Sequence, residues 1–177
     1  MFNLQKKLIF LFIISLSLCS CASMLNKESY CPALSVVPDG ATVTRYEQNS
    51  NKILSKSVIN HELGYCKVDE NNNLNISGNF YIQTGLSQEY NEKTNIPLKY
   101  FIALLDEENK VLLKKDYFFE SQLKAGKTFS DDFIKFNEEV KIKNKENLKD
   151  YNILLSFQLT EKELSENREQ QIPYYKK

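Results

Sequence analysis

Leu74-Asn75-Ile76-Ser77-Gly78-Asn79-Phe80-Tyr81-Ile82-Gln83 decides the fold. Leu74, Ile76, Phe80 and Ile82 fall on one side of an extended chain, with Asn75, Ser77, Asn79 and Gln83 on the other. Successive side chains of a strand point to opposite faces, so this period of two describes a strand with one buried and one wet face. Tyr151, Ile153, Leu155, Phe157 and Leu159 repeat the pattern with a cleaner inward face. Ile134, Phe136, Val140 and Ile142 alternate in the same way against Lys135, Asn137, Glu139, Lys141 and Lys143.

Working outward, Leu98 to Leu105 is apolar on both faces and predicts a central strand. Glu107-Glu108-Asn109 turns it into Val111 to Phe119 as a hairpin. Upstream, Thr42 to Tyr46 reads as a short strand, and Ile53 to Ile59 and Leu63 to Val68 as two more. Glu70 to Asn73 and Ala125-Gly126 are turns, and Lys143 to Asp150 is a solvated loop. Thr160 and Glu163 have capping-box spacing, which predicts a helix from about Glu161 to Gln170, ended by Pro173. Seven or eight short strands and one terminal helix make a mainly β chain. The expected fold is an immunoglobulin-like β-sandwich at residues 42–160, with 161–177 as short helix and loose tail. Tyr151 stands where a tyrosine corner would. A β-barrel has the same strand count and is the alternative.

The N-terminus carries a different kind of signal. Lys6 and Lys7 precede an unbroken run of apolar residues and Ser from Leu8 to Leu18, too short to span a bilayer and of signal-peptide length. Leu18-Cys19-Ser20-Cys21 closes it, with a small residue just before Cys21 and Leu18 three positions ahead. This resembles the lipobox of bacterial lipoproteins. The resemblance implies a signal peptide at 1–20, diacylglycerol on the Cys21 thiol, acylation of its new amino group, and a lipidated tether at 21–41. Cys19 is the poorer site, because Leu18 would then stand at the cut. Ala22 in place of Asp implies the outer membrane, if the cell is Gram-negative.

Removing residues 1–20 leaves 157 residues, about one domain. Charge is balanced, 23 basic against 23 acidic residues, with no basic stripe, so a nucleic-acid partner is not expected. With Cys21 acylated, Cys31 and Cys66 are the cysteines that remain, and an oxidising compartment favours one disulfide between them; two separate thiols are the other possibility.

Chemistry is sparse. His61 is the sole histidine, a surface or capping residue before it is a general base. There is no Gly-rich phosphate loop and no G-x-S-x-G elbow. Asp131-Asp132 and Glu138-Glu139 read as solvated charge, without the long-range partner that glycoside hydrolysis needs. Arg45 and Arg168 are the only arginines, each suited to an ion pair whose partner the sequence does not place.

Several short motifs in order carry a further resemblance. These are Cys31-Pro32, Val37-Pro38-Asp39 with Thr44, Lys99-Tyr100-Phe101-Ile102-Ala103, and Phe157-Gln158-Leu159-Thr160 with Asn167-Arg168. Together the chain resembles a group of uncharacterised alphaproteobacterial outer-membrane lipoproteins, which implies an envelope lipoprotein with a β-rich periplasmic domain and brings no activity with it. The expectation is therefore a non-enzymatic protein-interaction or structural module, without cofactor or metal, held to the membrane by Cys21 and bound to an envelope protein partner. The alternative is a carrier or sensor of an apolar molecule such as a lipid, with Phe118, Phe119, Phe129 and Phe133 lining its cavity.

Overall fold

The computed structural model describes residues 31–47, 50–143 and 148–171. Within them lie eight strands: β1 (Ala33–Val36), β2 (Thr42–Tyr46), β3 (Ile53–Val68), β4 (Asn73–Leu86), β5 (Thr94–Leu105), β6 (Val111–Leu123), β7 (Phe129–Lys141) and β8 (Asn152–Phe157). A helix, α1 (Glu161–Gln171), follows. The strands form two four-stranded sheets, ordered β1-β8-β5-β6 and β2-β3-β4-β7. These are open sheets facing each other across one core, a β-sandwich, and no barrel closes.

Period two places the core. Leu74, Ile76, Phe80 and Ile82 of β4 face Ile96, Leu98, Tyr100, Ile102 and Leu104 of β5, all buried. The β8 residues Ile153, Leu155 and Phe157 complete the same layer. Each such side chain contributes about 1.5–3 kcal/mol on burial, enough to define which face of every long strand turns inward. Gly78 sits in this layer because Phe136 crosses it: a Cβ there would meet the Phe136 ring at 2.5 Å and the Leu63 carbonyl at 2.7 Å. Tyr151, just ahead of β8, is buried as well.

Three features depart from the sequence expectations. The segment 21–41 is not tether throughout, for Ala33–Val36 pairs in parallel with Asn152–Leu155 of β8. That pairing supplies hydrogen bonds to a stretch with little to bury, and a single turn at Pro38–Gly40 then carries the chain over to β2. Ile53–Ile59 and Leu63–Val68 are one strand, interrupted by a register shift between Asn60 and Leu63. The extra residues of this bulge break the alternation, which is why the sequence reads as two pieces. The loop after Lys143 ends in a short 3-10 turn, Leu148–Asp150, with Leu148 buried.

The turn between β5 and β6 is built as expected. Asp106 accepts hydrogen bonds from the N–H groups of Glu108 and Lys110 at 3.0 and 2.9 Å, and Asn109 takes the left-handed conformation, with φ of 62°. Asn and Asp tolerate that region better than other side chains, so this turn fixes the hairpin register.

Candidate functional site

Cys31 and Cys66 are bonded, with Cα atoms 5.5 Å apart. That separation lies in the ordinary disulfide range. Cys31 precedes β1 of one sheet and Cys66 lies on β3 of the other, so the bond staples the sheets where the N-terminal segment joins the domain. Cys21 and residues 1–20 lie outside the described residues, as does the tail 172–177. The backbone of His61 falls within β3 beside the bulge; its side chain is outside the described residues.

The free edges of β6 and β7 meet at one side of the sandwich, and polar groups close it. Tyr117 of β6 donates its hydroxyl to Oε1 of Glu138 on β7, and Lys115 pairs with Oε2. Further along, Ser121 Oγ and Ser130 Oγ lie 2.6 Å apart and both donate to Asp132 Oδ2, at 2.8 and 3.1 Å. Glu138 is 6% exposed, so its reading as solvated charge is corrected. Residue 138 shares the parity of Phe136 and Val140 and must turn inward with them. Asp132 likewise faces inward, away from its neighbour Asp131.

Tyr100 stacks on Tyr117 at 4.9 Å between ring centroids, and the edge of Phe80 meets Tyr100 at 5.3 Å. Burial pushes the Tyr100 hydroxyl up to about 12. Burial raises Tyr117 as well, reinforced by its hydrogen bond to the Glu138 carboxylate and by that group's charge. Oε1 is held by the Tyr117 hydroxyl, while the buried Oε2 faces the Lys115 ammonium without a hydrogen bond, so the carboxylate ties β7 to β6. Inward charges of this sort also blunt an edge against pairing with another chain.

The aromatic residues that would line a cavity do not lie around one. Phe118, Phe129 and Phe133 are 62%, 56% and 47% exposed on the outer faces, while Phe119 packs against the core from β6. The sequence around Phe118 runs charged-charged-charged-aromatic-aromatic-aromatic from Lys114 and lacks alternation, so its parity is visible only from pairing with Lys99 of β5. Phe118 thus stands on the outer face of the first sheet, with Lys99 opposite and Asp116 and Glu120 beside it on β6. On the second sheet, Phe133 packs against Tyr81 at 5.0 Å and carries the Lys135 ammonium 5.5 Å from its ring centre.

Both arginines find partners through α1. Thr160 and Glu163 form the capping box in full: Glu163 Oε2 accepts from the Thr160 N–H at 2.8 Å, and Thr160 Oγ1 accepts from the Glu163 N–H at 3.3 Å. Arg45 pairs with the other oxygen of Glu163. Arg168 donates Nε to Asp39 Oδ2 at 2.8 Å, and Asn167 donates to the carbonyls of Asp39 and Thr42, both at 2.8 Å. Tyr46 donates to Glu166 at 2.9 Å, a bond that, ahead of burial and nearby carboxylates, raises its hydroxyl above the usual tyrosine value. With one apolar residue in α1, Leu164, docking is polar.

Among the described residues, no group of three or more His, Cys, Asp or Glu is placed to hold a metal ion, and no helix is long and apolar enough to cross a membrane. No family model matches the chain, and no curated protein does. Among solved structures it is similar to the variable (V) domain of the Streptococcus agalactiae AgI/II polypeptide BspA. Identity is 9% over 72% of this chain and 78% of that one, with a TM-score of 0.21, too low to carry an argument.

Proposed function

We propose that this chain is a lipid-anchored envelope protein that acts by binding a protein partner and not by catalysis, with Cys21 as the membrane attachment. The observation that carries the binding role is Phe118. It is 62% exposed on the outer face of the edge strand β6, and charges on Lys99, Asp116 and Glu120 border this one large aromatic side chain. Binding energy at protein interfaces concentrates in such aromatic anchors, with the rim excluding water and setting specificity. The blunted β6 and β7 edges favour recognition by a face over strand addition. The Cys31–Cys66 bond supports an exported address, since such bonds persist where thiols are kept oxidised.

Affinity purification of the full chain from detergent-solubilised membranes, beside a Phe118→Asp variant, tests this reading. A partner recovered with the native chain and lost with the variant supports it. No reproducible partner at native expression, or equal recovery by both, contradicts it.

A further inference from the structure

We infer that α1 is a releasable cover over the edge of β2, and that this edge, once opened, takes an extended acidic segment of a partner by strand addition. The second sheet is ordered β2-β3-β4-β7, so β2 is one of its edges, on the side away from β7. Ile59 donates to the Ala41 carbonyl at 2.9 Å, and Thr42 to Arg45 pair with Val58 to Ser55 in antiparallel register. Backbone groups along such a strand point alternately toward its neighbour and away from it. Val43 and Arg45 therefore present theirs to β3, while the N–H and C=O of Thr42 and Thr44 point away from the sheet. A row of this kind is a template for another strand unless something covers it.

The cover is α1, and it has no hydrophobic face. The helix lies on β2 and on the Pro38–Gly40 turn. Among its described residues the buried one is an amide, Asn167, which donates to the edge carbonyl of Thr42 and to that of Asp39, both at 2.8 Å. A helix side chain thus stands in for the N–H of a neighbouring strand. Around it lie two ion pairs, Arg45 with Glu163 and Arg168 with Asp39, and the bond from Tyr46 to Glu166. Both arginines of the chain serve this docking. A surface helix ordinarily buries an apolar stripe, and at 11 residues this one is too short to persist in water alone. Its folding is therefore tied to its docking, and the ion pairs that dock it weaken with salt.

What α1 supplies defines what can replace it. One carboxylate meets Arg45 and another accepts from Tyr46, so release of the helix leaves a cation and a hydroxyl donor unmatched at the edge. A replacing segment must be extended, to bond Thr42 and Thr44. It must also be acidic opposite Arg45, because opposite charges stabilise a cross-strand pair and like charges oppose it. A basic strand would face Arg45 instead, with Lys56 already beside Thr44. Phe118 stands on the other sheet, so this edge is a second surface and does not depend on it.

Hydrogen exchange and peptide titration of the full chain in detergent test this together. Raising salt from about 0.05 M to about 1 M should speed exchange over 161–171 by about three- to tenfold, with the amides of β4 and β5 unchanged. Asn167→Asp sets a carboxylate against two carbonyl oxygens and should open the helix by about ten- to a hundredfold. Arg168→Ala removes one exposed ion pair and should open it by less than about fivefold. The blocked strand peptide Thr-Glu-Thr-Val-Thr, at millimolar concentration, should shift the Thr42 and Thr44 amide resonances, and Thr-Lys-Thr-Val-Thr should not. Because the peptide needs the open form, its apparent affinity should rise in each variant by the same factor as exchange over 161–171. Helix amides that exchange only in step with β4 and β5 would overturn the inference. So would an acidic peptide that binds the native chain and both variants alike, binds none of them, or binds no better than its lysine counterpart.

Discussion

Arg45 on β2 and Glu163 in the first turn of α1 form an ion pair across 118 residues of sequence. The same Glu163 closes the capping box with Thr160. One carboxylate therefore starts the helix with one oxygen and docks it with the other.

Glu163→Ala removes both roles and should cost about 1–2 kcal/mol, the sum of a lost cap and a partly exposed ion pair. Arg45→Ala removes only the pair and should cost under about 1 kcal/mol. Hydrogen exchange over 161–171 distinguishes them: protection should drop sharply in the first variant and slightly in the second.

The disulfide closes a loop with a sequence separation of 35. Replacing Cys31 and Cys66 together by Ala should destabilise the domain by about 3–4 kcal/mol in the chain-entropy model. A thermal melt should show this as a fall on the order of 10 °C, and reduction of the native chain should reproduce it.

Much of this fold could be read from period two. The inward faces of β4, β7 and β8, the β5–β6 hairpin and the capped helix all follow from alternation and turn chemistry. The disulfide followed from counting cysteines. β1 was hidden because four residues between prolines have no pattern of their own and become a strand only beside β8. The burial of Glu138 was present in its parity with Phe136 and Val140, yet charge outweighed position in the reading. The partners of Arg45 and Arg168 depend on contacts 118 and 129 residues away, which no local pattern encodes. The wet face of β4, with Asn75, Ser77, Asn79 and Gln83, was legible in the same alternation, but which strands flank it was not, since that needs the sheet order.

Tyr117→Phe leaves the buried Glu138 without its hydroxyl donor and should cost about 1.5–3 kcal/mol, as hydrogen bonds to charged groups do. Replacing both partners, Tyr117→Phe with Glu138→Val, should be less costly than Tyr117→Phe alone and close to neutral, because neither an unpaired hydroxyl nor a buried charge is left behind. The same change removes an inward charge from an edge strand, so sedimentation should show more self-association. A larger loss of stability in the double variant than in Tyr117→Phe would contradict this account of the edge.

Alkaline pH supplies a further check. Tyr100 titrates near 12 in the folded chain and Tyr117 is raised too, against about 10 for an unfolded tyrosine. The unfolded chain releases these protons first, so their contribution is intact below pH 10 and is lost as pH rises from about 10 towards 12. Stability should decline over that window, and the decline should be shallower in Tyr100→Phe relative to its own neutral-pH value.

The central claim is that a binding domain is held on a membrane through Cys21, and mass spectrometry of the mature N-terminus tests it most directly. The account predicts that the chain begins at Cys21, with residues 1–20 removed and the mass of a diacylglycerol and an amide-linked acyl chain on that residue. Cys21→Ser should then accumulate as unprocessed precursor. A mature chain that retains residues 1–20, begins at another residue, or carries its lipid on Cys19 would contradict the claim.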